Sequence, residues 1–344
     1  MAFCARRGMA IIMNEEMLVI DGCAFAEGEF TGVTEEVHQS ELDAFFLTTP
    51  GEADCFTQCV NEIGKVYNLT DKKDKKIVIA KTAEDIYRAK KEGKKAIILA
   101  FQDPKSIGDS LDRLRVFYEL GIRVIQMTYN HTNYIGTGCI ESVDGGLTDF
   151  GKNVLKKMNE LGIIADISHC GKKTGIDVLK YSEKPIVISH AGVNFLTENP
   201  RNKTDEELKL LKENGGVIGL SSWGPLCWKK ETKRRPTLGE FVDHIDYVVN
   251  LIGIDHVGFG GDSTLDDSKD EKGLAEQSTT YPAVVKEYNE CIGIDPNTRH
   301  AEGVKGSWQI KNVINELDKR GYSKEDINKF TGGNFMRVIK EVWK

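Results

Sequence analysis

No part of this chain approaches the roughly 20 consecutive apolar residues that a membrane helix needs, so no membrane partner is expected. Positive charge is not in excess either: 46 basic against 53 acidic side chains leave a net charge of −7. That balance argues against a nucleic-acid groove or an anionic membrane surface as main partner. Cysteine shows no paired framework; eight are scattered over 344 residues, and only Cys55 and Cys59 lie close together. Scattered thiols fit a reducing, cytoplasmic setting. The N-terminal "MAFCARRGMAIIMNEEM" lacks the core of a secretion signal, because Asn14, Glu15 and Glu16 cut its short apolar run. Residues 1–16, approximately, read as a ragged extension, with Met13 or Met17 as alternative starts. No lipid-anchor tail, internal repeat or glycine-rich phosphate loop is visible.

What is there is ordinary in bulk and patterned in detail. Apolar content of 40% and charged content of 29% suit a globular chain long enough for one α/β barrel. Apolar, β-branched runs recur at 17–23, 32–39 (weak), 95–102, 122–129, 162–169, 185–191, 216–222 and 256–262. Between them lie helical patterns such as "TAEDIYRAKKEG", "SLDRLRVFYELG", "DFGKNVLKKMNELG" and "TDEELKLLKENGG". Most open on Thr, Ser or Asp and close on Gly, as helix caps do. Eight buried strands alternating with helices predict a parallel sheet, and eight closes a (β/α)8 TIM barrel. An open doubly wound sheet is the alternative, weakened by the missing phosphate loop. The segment from about 305 to 344 reads as helices that close the barrel, so that 1–344 forms one domain.

In a barrel, chemistry collects where strands end. The last residues of the runs are Cys23, His38 or a neighbour, Gln102, Tyr129, His169, His190, Ser222 and Asp262. Histidine is scarce, seven in all, yet "GIIADISHCG" and "KPIVISHAG" place two at the ends of consecutive greasy runs. A histidine there can simply be hydrogen-bonded, but two facing an aspartate on the last strand read as one metal site. Imidazole suits zinc, cobalt, nickel or iron. Asp262, after "GFGG", reads as a proton acceptor for water or as a helix N-cap. Arg201, in "NPRNKTDEEL", reads as a carboxylate clamp or as a surface residue before a capped helix. His131, Asn133, Glu141 and Asp144 fall in a loop that should overhang the site, where the acidic pair suits a substrate ammonium or plain solvent. Trp223 reads as a pocket wall.

Taken together and in order, "GIRVIQMTYNHTN", "GGLTDFGKNVLKKMNELGIIADISHCG", "KPIVISHAGVNFLTENPRNKTDEELKLLKENGGVIGL", "HVGFGGD" and "TGGNFMRV" resemble the renal (membrane) dipeptidase family, metallopeptidase family M19 of the amidohydrolase superfamily. The resemblance runs over nearly the whole chain. It implies a (β/α)8 barrel of the metal-dependent hydrolase type, with two zinc ions that serve dipeptide hydrolysis. It further implies His169 and His190 as metal ligands, Asp262 as the base that serves the catalytic water and Arg201 as the carboxylate anchor. Tyr129 stands where many members have a histidine that steadies the oxyanion, and Asn130 beside it is a substrate-binding candidate.

Three departures matter. The family's first strand ends Asp-Gly-His-x-Asp, whereas "DGCAF" puts Cys23 and Phe25 in place of the histidine and the second aspartate. The bridging glutamate falls at Gln102, in "AFQDP". Phenylalanine cannot ligate, and neutral glutamine bridges two cations poorly, so one Zn2+ is expected and two are left open, as is another divalent transition metal. Cys23 and Gln102 are third-ligand candidates. Cys23 is otherwise a buried apolar thiol; Asp103 is another candidate carboxylate or else a turn residue before Pro104. The first functional reading is an amide hydrolase for dipeptides or N-acyl amino acids with a free carboxylate. The second is a single-metal deacylase or lyase for another zwitterionic amine; the third is a non-catalytic ligand-binding barrel. A homodimer is left open, since such barrels commonly pair.

Overall fold

The computed structural model describes residues 17–26, 29–49, 55–265 and 271–344. The extension expected over about 1–16 lies outside the described residues. Eight parallel strands close on themselves: β1 (Ile20–Phe25), β2 (Ala44–Thr48), β3 (Lys95–Phe101), β4 (Ile122–Gln126), β5 (Ile164–Asp166), β6 (Val187–Ala191), β7 (Val217–Leu220) and β8 (Val257–Phe259). The last pairs with the first through Asp21 and Phe259, which makes the sheet a TIM barrel. Two short strands are additional. Ile77–Ile79 runs beside the start of β3, and Ser263–Thr264 beside the end of β1. No helix among the described residues is long and apolar enough to cross a membrane.

The second strand corrects the sequence reading. Residues 32–39 hold no strand; Glu35–Gln39 form a short helix whose first turn is capped by Thr34 Oγ1, which accepts from Val37 N at 3.2 Å. A threonine followed by two acidic residues is a helix start, and the two valines misread as strand alternation. His38 therefore leaves the strand-end set, and its Nε2 lies 3.0 Å from Asp74 Oδ2. The true second strand is "AFFLT", five buried residues in a row, as a strand covered on both faces should read.

Helix ends follow the caps. Thr82 and Thr204 open helices Ala83–Lys91 and Asp205–Asn214 with capping boxes. Gly162 and Gly215 close Asp149–Leu161 and Asp205–Asn214 in left-handed conformation. The floor of the barrel is apolar. Leu18, Ala44, Ala96, Val124, Ile164, Val187 and Val217, at the strand starts, pack on Phe335, Val338, Ile339 and Val342 of the last helix, Asn334–Val342. Phe335 enters the floor where Gly258 leaves room, since a Cβ there would stand 2.7 Å from its ring. With one end plugged by hydrocarbon, polar side chains gather at the other.

Candidate metal centre

The histidine side is built on a buried carboxylate. β5 ends at Asp166, whose Oδ1 accepts from Ser168 N (2.9 Å), Ser168 Oγ (2.6 Å) and Ser189 N (3.0 Å), while Oδ2 accepts from Ser189 Oγ at 2.5 Å. His190 N donates to Ser168 Oγ at 3.1 Å. The two Ser-His segments are thereby latched to each other. Ser189 Oγ, its proton committed to Asp166, accepts from His190 Nδ1 at 2.8 Å. On the other ring, His169 Nδ1 meets Asn130 Oδ1 at 2.7 Å, and a carbonyl oxygen can only accept.

Both protons therefore sit on Nδ1, and both Nε2 atoms present lone pairs, 2.9 Å apart. Burial drives the pKa of His190 down to about 4 and that of His169 well below its usual value, so neither ring carries a spare proton to bridge the gap. Two converging lone pairs at that distance repel unless a cation lies between them. An ion bonded to each at ~2.0–2.1 Å would hold such nitrogens roughly 3 Å apart, so the donor set fits a divalent transition metal.

The cysteine side is built differently. Gly260 permits the exit of β8 to crowd β6, because a Cβ there would stand 2.1 Å from Ser189 O. Beyond it Asp262 takes a left-handed conformation at φ 50°, with its N donating to Cys23 O at 2.8 Å. Ligand atoms of Cys23, His190 and Asp262 come within 4.8 Å of one another. Gln102 Nε2 donates to Cys23 Sγ at 3.0 Å and to Thr48 Oγ1 at 2.7 Å. Its amide nitrogen, not its oxygen, thus faces the thiol. Burial, with Asp262, Asp21 and Asp166 nearby, pushes the Cys23 thiol well above its usual pKa. Burial would raise Asp262 too, but His190, Arg299, Arg201 and His300 outweigh it and hold that carboxyl below its usual range.

Tyr129 stacks on His169 with centroids 4.3 Å apart, and burial holds its hydroxyl well above the usual pKa. Asn130, expected as a substrate contact, lies buried behind His169 at φ 59°. It and Asp262 are two of three non-glycine residues with positive φ among the described residues, and both stand at the site. Arg201 is 2% exposed and donates through NH1 to Ser168 O and through NH2 to His190 O at 3.2 Å. That is no surface residue: two of its five N–H groups are used, and the charge lies beside both imidazoles.

In the overhanging loop the acidic pair takes the second of its two readings, held by local partners. Glu141 accepts from Thr132 N at 3.0 Å and lies 3.2 Å from His131 Nδ1, while Asp144 accepts from Lys173 N at 2.6 Å at the start of helix Lys172–Tyr181. Asn133 shapes its own turn, accepting from Ile135 N and Gly136 N. None of these side chains joins the imidazoles. Trp223 is buried in a cluster with Leu226, Val284 and Val285, with the Arg299 guanidinium 5.8 Å from its ring. Four groups escaped the sequence reading: Asp166, Ser168 and Ser189, whose signal was the repeated Ser-His after an apolar run, and Arg299, which had none.

The family model described as membrane dipeptidase (peptidase family M19) matches residues 30–291 and 289–344. Dipeptidase tcpJ of Claviceps purpurea is 29% identical over 266 residues, which is 77% of this chain and 55% of that protein. Dipeptidase verJ of Clonostachys rogersoniana is 27% identical over 285 residues, 82% of this chain and 64% of that protein. The chain thus spans between about half and two thirds of the length of these curated relatives. Among solved structures, an amidohydrolase from Pseudomonas aeruginosa superposes with a TM-score of 0.84 at 31% identity, covering 96% of this chain and 97% of that one.

Proposed function

The chain belongs to the membrane dipeptidase family, peptidase family M19, and from that premise we propose that it is a metal-dependent hydrolase of small amides with a free carboxylate, dipeptides or N-acyl amino acids. The observation that carries the proposal is the pair of Nε2 lone pairs converging at 2.9 Å, each fixed from behind by Asn130 or Ser189. His169 and His190 would hold one divalent ion, zinc being the natural match to nitrogen donors with a thiol near by. Cys23 is the third-ligand candidate. Gln102 turns an N–H donor inward and Phe25 offers no lone pair, which supports one ion rather than two.

A divalent ion held there supplies Lewis acidity, polarising a carbonyl oxygen and bringing the pKa of water near ~7. Asp262, kept ionised, takes a proton from the attacking water as its oxygen bonds the carbonyl carbon. It returns that proton to the nitrogen as the C–N bond breaks, leaving an acid and an amine. Tyr129 retains its proton and donates it as a hydrogen bond to the carbonyl oxygen, where negative charge grows. Arg201 pairs with the free carboxylate and sets the bond in register. Scattered free thiols suit a reducing compartment, and we place the activity in the cytoplasm on that ground.

The test begins with metal analysis of protein purified without chelators. One ion per chain is expected, together with cleavage among a panel of L,L- and L,D-dipeptides and N-acyl amino acids. His169→Ala should lose both the ion and turnover. If it keeps both, the site is misassigned.

A further inference from the structure

We infer that Lys203, a fully buried lysine on the loop after β6, is a positioning residue for the histidine pair. It ties the exit of β5, which carries His169, to the end of β6, which carries His190. This rests on the reading of those two rings as metal ligands, and deepens it.

The side chain spans the two strand ends. Lys203 N donates to Gly192 O at 3.0 Å, and Lys203 O accepts from Asn194 N at 3.0 Å, so its backbone is fastened just past His190. Its ammonium reaches the other exit, where Nζ donates at 3.3 Å to Cys170 O, the carbonyl that follows His169. The carbonyl that precedes His169, Ser168 O, is held by Arg201 NH1, and His169 O itself accepts from Cys139 N at 3.0 Å. Three consecutive carbonyls around one imidazole are thus occupied, two of them by cations that stand two residues apart on a single loop. The Asp166 network latches the chain ahead of each ring, at Ser168 and Ser189. Lys203 closes it behind. With both flanks fixed, the His169 backbone keeps its ring turned to His190.

Stability alone does not explain a lysine there. Its side chain is 1% exposed and that of its partner Glu207 2%, yet Nζ lies 3.4 Å from Glu207 Oε1, which has no well-formed hydrogen bond among the described residues. Taking two charges out of water is costly, and so loose a contact repays little of it. Glu207 Oε2 is employed on a helix cap, accepting from Thr204 N at 2.9 Å and from Thr204 Oγ1 at 2.8 Å. A methionine of similar length would fill the space of Lys203 without the charge. What hydrocarbon cannot do is donate to Cys170 O, and that carbonyl belongs to the loop that presents His169.

The experiment joins Lys203→Met with Glu207→Gln, so that no charge is left buried alone and the glutamine still caps its helix. In metal-free protein the melting temperature should stay at or above wild type, as is common when a buried ion pair gives way to uncharged groups. Zinc affinity, read by competition with a chelating dye, should nevertheless fall about 10-fold. The ring-nitrogen NMR signals of His169, in metal-free protein labelled at histidine, should shift. Lys203→Arg keeps the charge and a donor and should stay close to wild type in all three readings. Unchanged zinc affinity in the double variant overturns the inference. So does a loss of affinity that comes with a lower melting temperature or with failure to fold, because the pair then only supports the fold. If the wild-type protein binds no zinc, the metal reading has failed on its own, and the ring signals decide. Left unmoved by the double variant, they overturn the positioning role as well.

Discussion

Asp21 and Asp166 do the same job on two sides of one barrel mouth, with different results. Each sits in a barrel strand; each uses Oδ1 to accept from the amide two residues on and from an amide in, or just beyond, the neighbouring strand. For Asp166 these are Ser168 N and Ser189 N, and for Asp21 they are Cys23 N (3.0 Å) and Gly261 N (2.6 Å). Asp166 then fills its remaining capacity with two serine hydroxyls. Asp21 Oδ2 and the buried Ser307 Oγ each lack a well-formed hydrogen bond among the described residues; Ser307 is near enough to lower the Asp21 pKa somewhat, but not enough to offset burial. One side is a satisfied network that pins two imidazoles; the other leaves a carboxyl whose burial raises its pKa to about 7. Saturated networks hold geometry, and unsaturated ones leave room for it to change. The lesson is that the two histidines proposed as ligands are presented by the saturated side, while Cys23, Phe25 and Gln102 sit on the unsaturated one.

The sharpest way to break that contrast is at Asp262, which belongs to the cysteine side by backbone and, in the proposed mechanism, to the histidine side by function. Asp262→Asn should lower kcat about 10²- to 10⁴-fold while the metal stays bound, if its role is proton transfer rather than holding the ion. Loss of metal in that variant would move Asp262 into the ligand set. Next comes Asp21 in protein stripped of metal. Its folded pKa, near 7, lies above the unfolded 3.8, so the folded chain keeps a proton that the unfolded chain releases. Stability is full below pH 4 and declines as pH rises toward 7, by about 4 kcal/mol at most. Asp21→Asn should flatten that slope in urea melts between pH 4 and 8. An unchanged slope would mean that the carboxyl is ionised throughout. Tyr129→Phe follows, with a loss of about 10² in kcat and little change in KM, the signature of an oxyanion donor.

Much of this was legible in the chain, for reasons that can be named. Barrel strands buried on both faces read as unbroken apolar runs, and helix caps read as Thr and Gly at run boundaries, so the alternation stood out. His169 and His190 were visible because Ser-His recurs after two such runs. The second strand was not, since "AFFLT" is too short to declare a period and lay beside a valine pair that mimicked one. Asp166 was hidden for a better reason: an acid inside an apolar run looks like an interruption until its partners, on a strand some twenty residues away, are brought beside it. Arg299 had no local signal at all, because only closure of the barrel sets its segment against Phe25.

The smallest expected effect is also the one that tests the contrast most directly. Ser189 Oγ stands between His190 Nδ1 and Asp166 Oδ2, and it fixes the tautomer that leaves Nε2 bare. In Ser189→Ala the imidazole proton is free to move to Nε2, where it must be displaced before an ion can bind. Loss of such an outer partner typically weakens metal binding about 10- to 100-fold, and the lower end is expected here because Asn130 still fixes His169. Competition for zinc against a chelating dye measures it. On the other side, Cys23→Ser keeps a donor of similar size at β1, where Gln102 can still bond it. A site anchored by its histidine half should therefore lose more affinity in Ser189→Ala than in Cys23→Ser. The reverse order would make the thiol a principal ligand and the two halves equal partners.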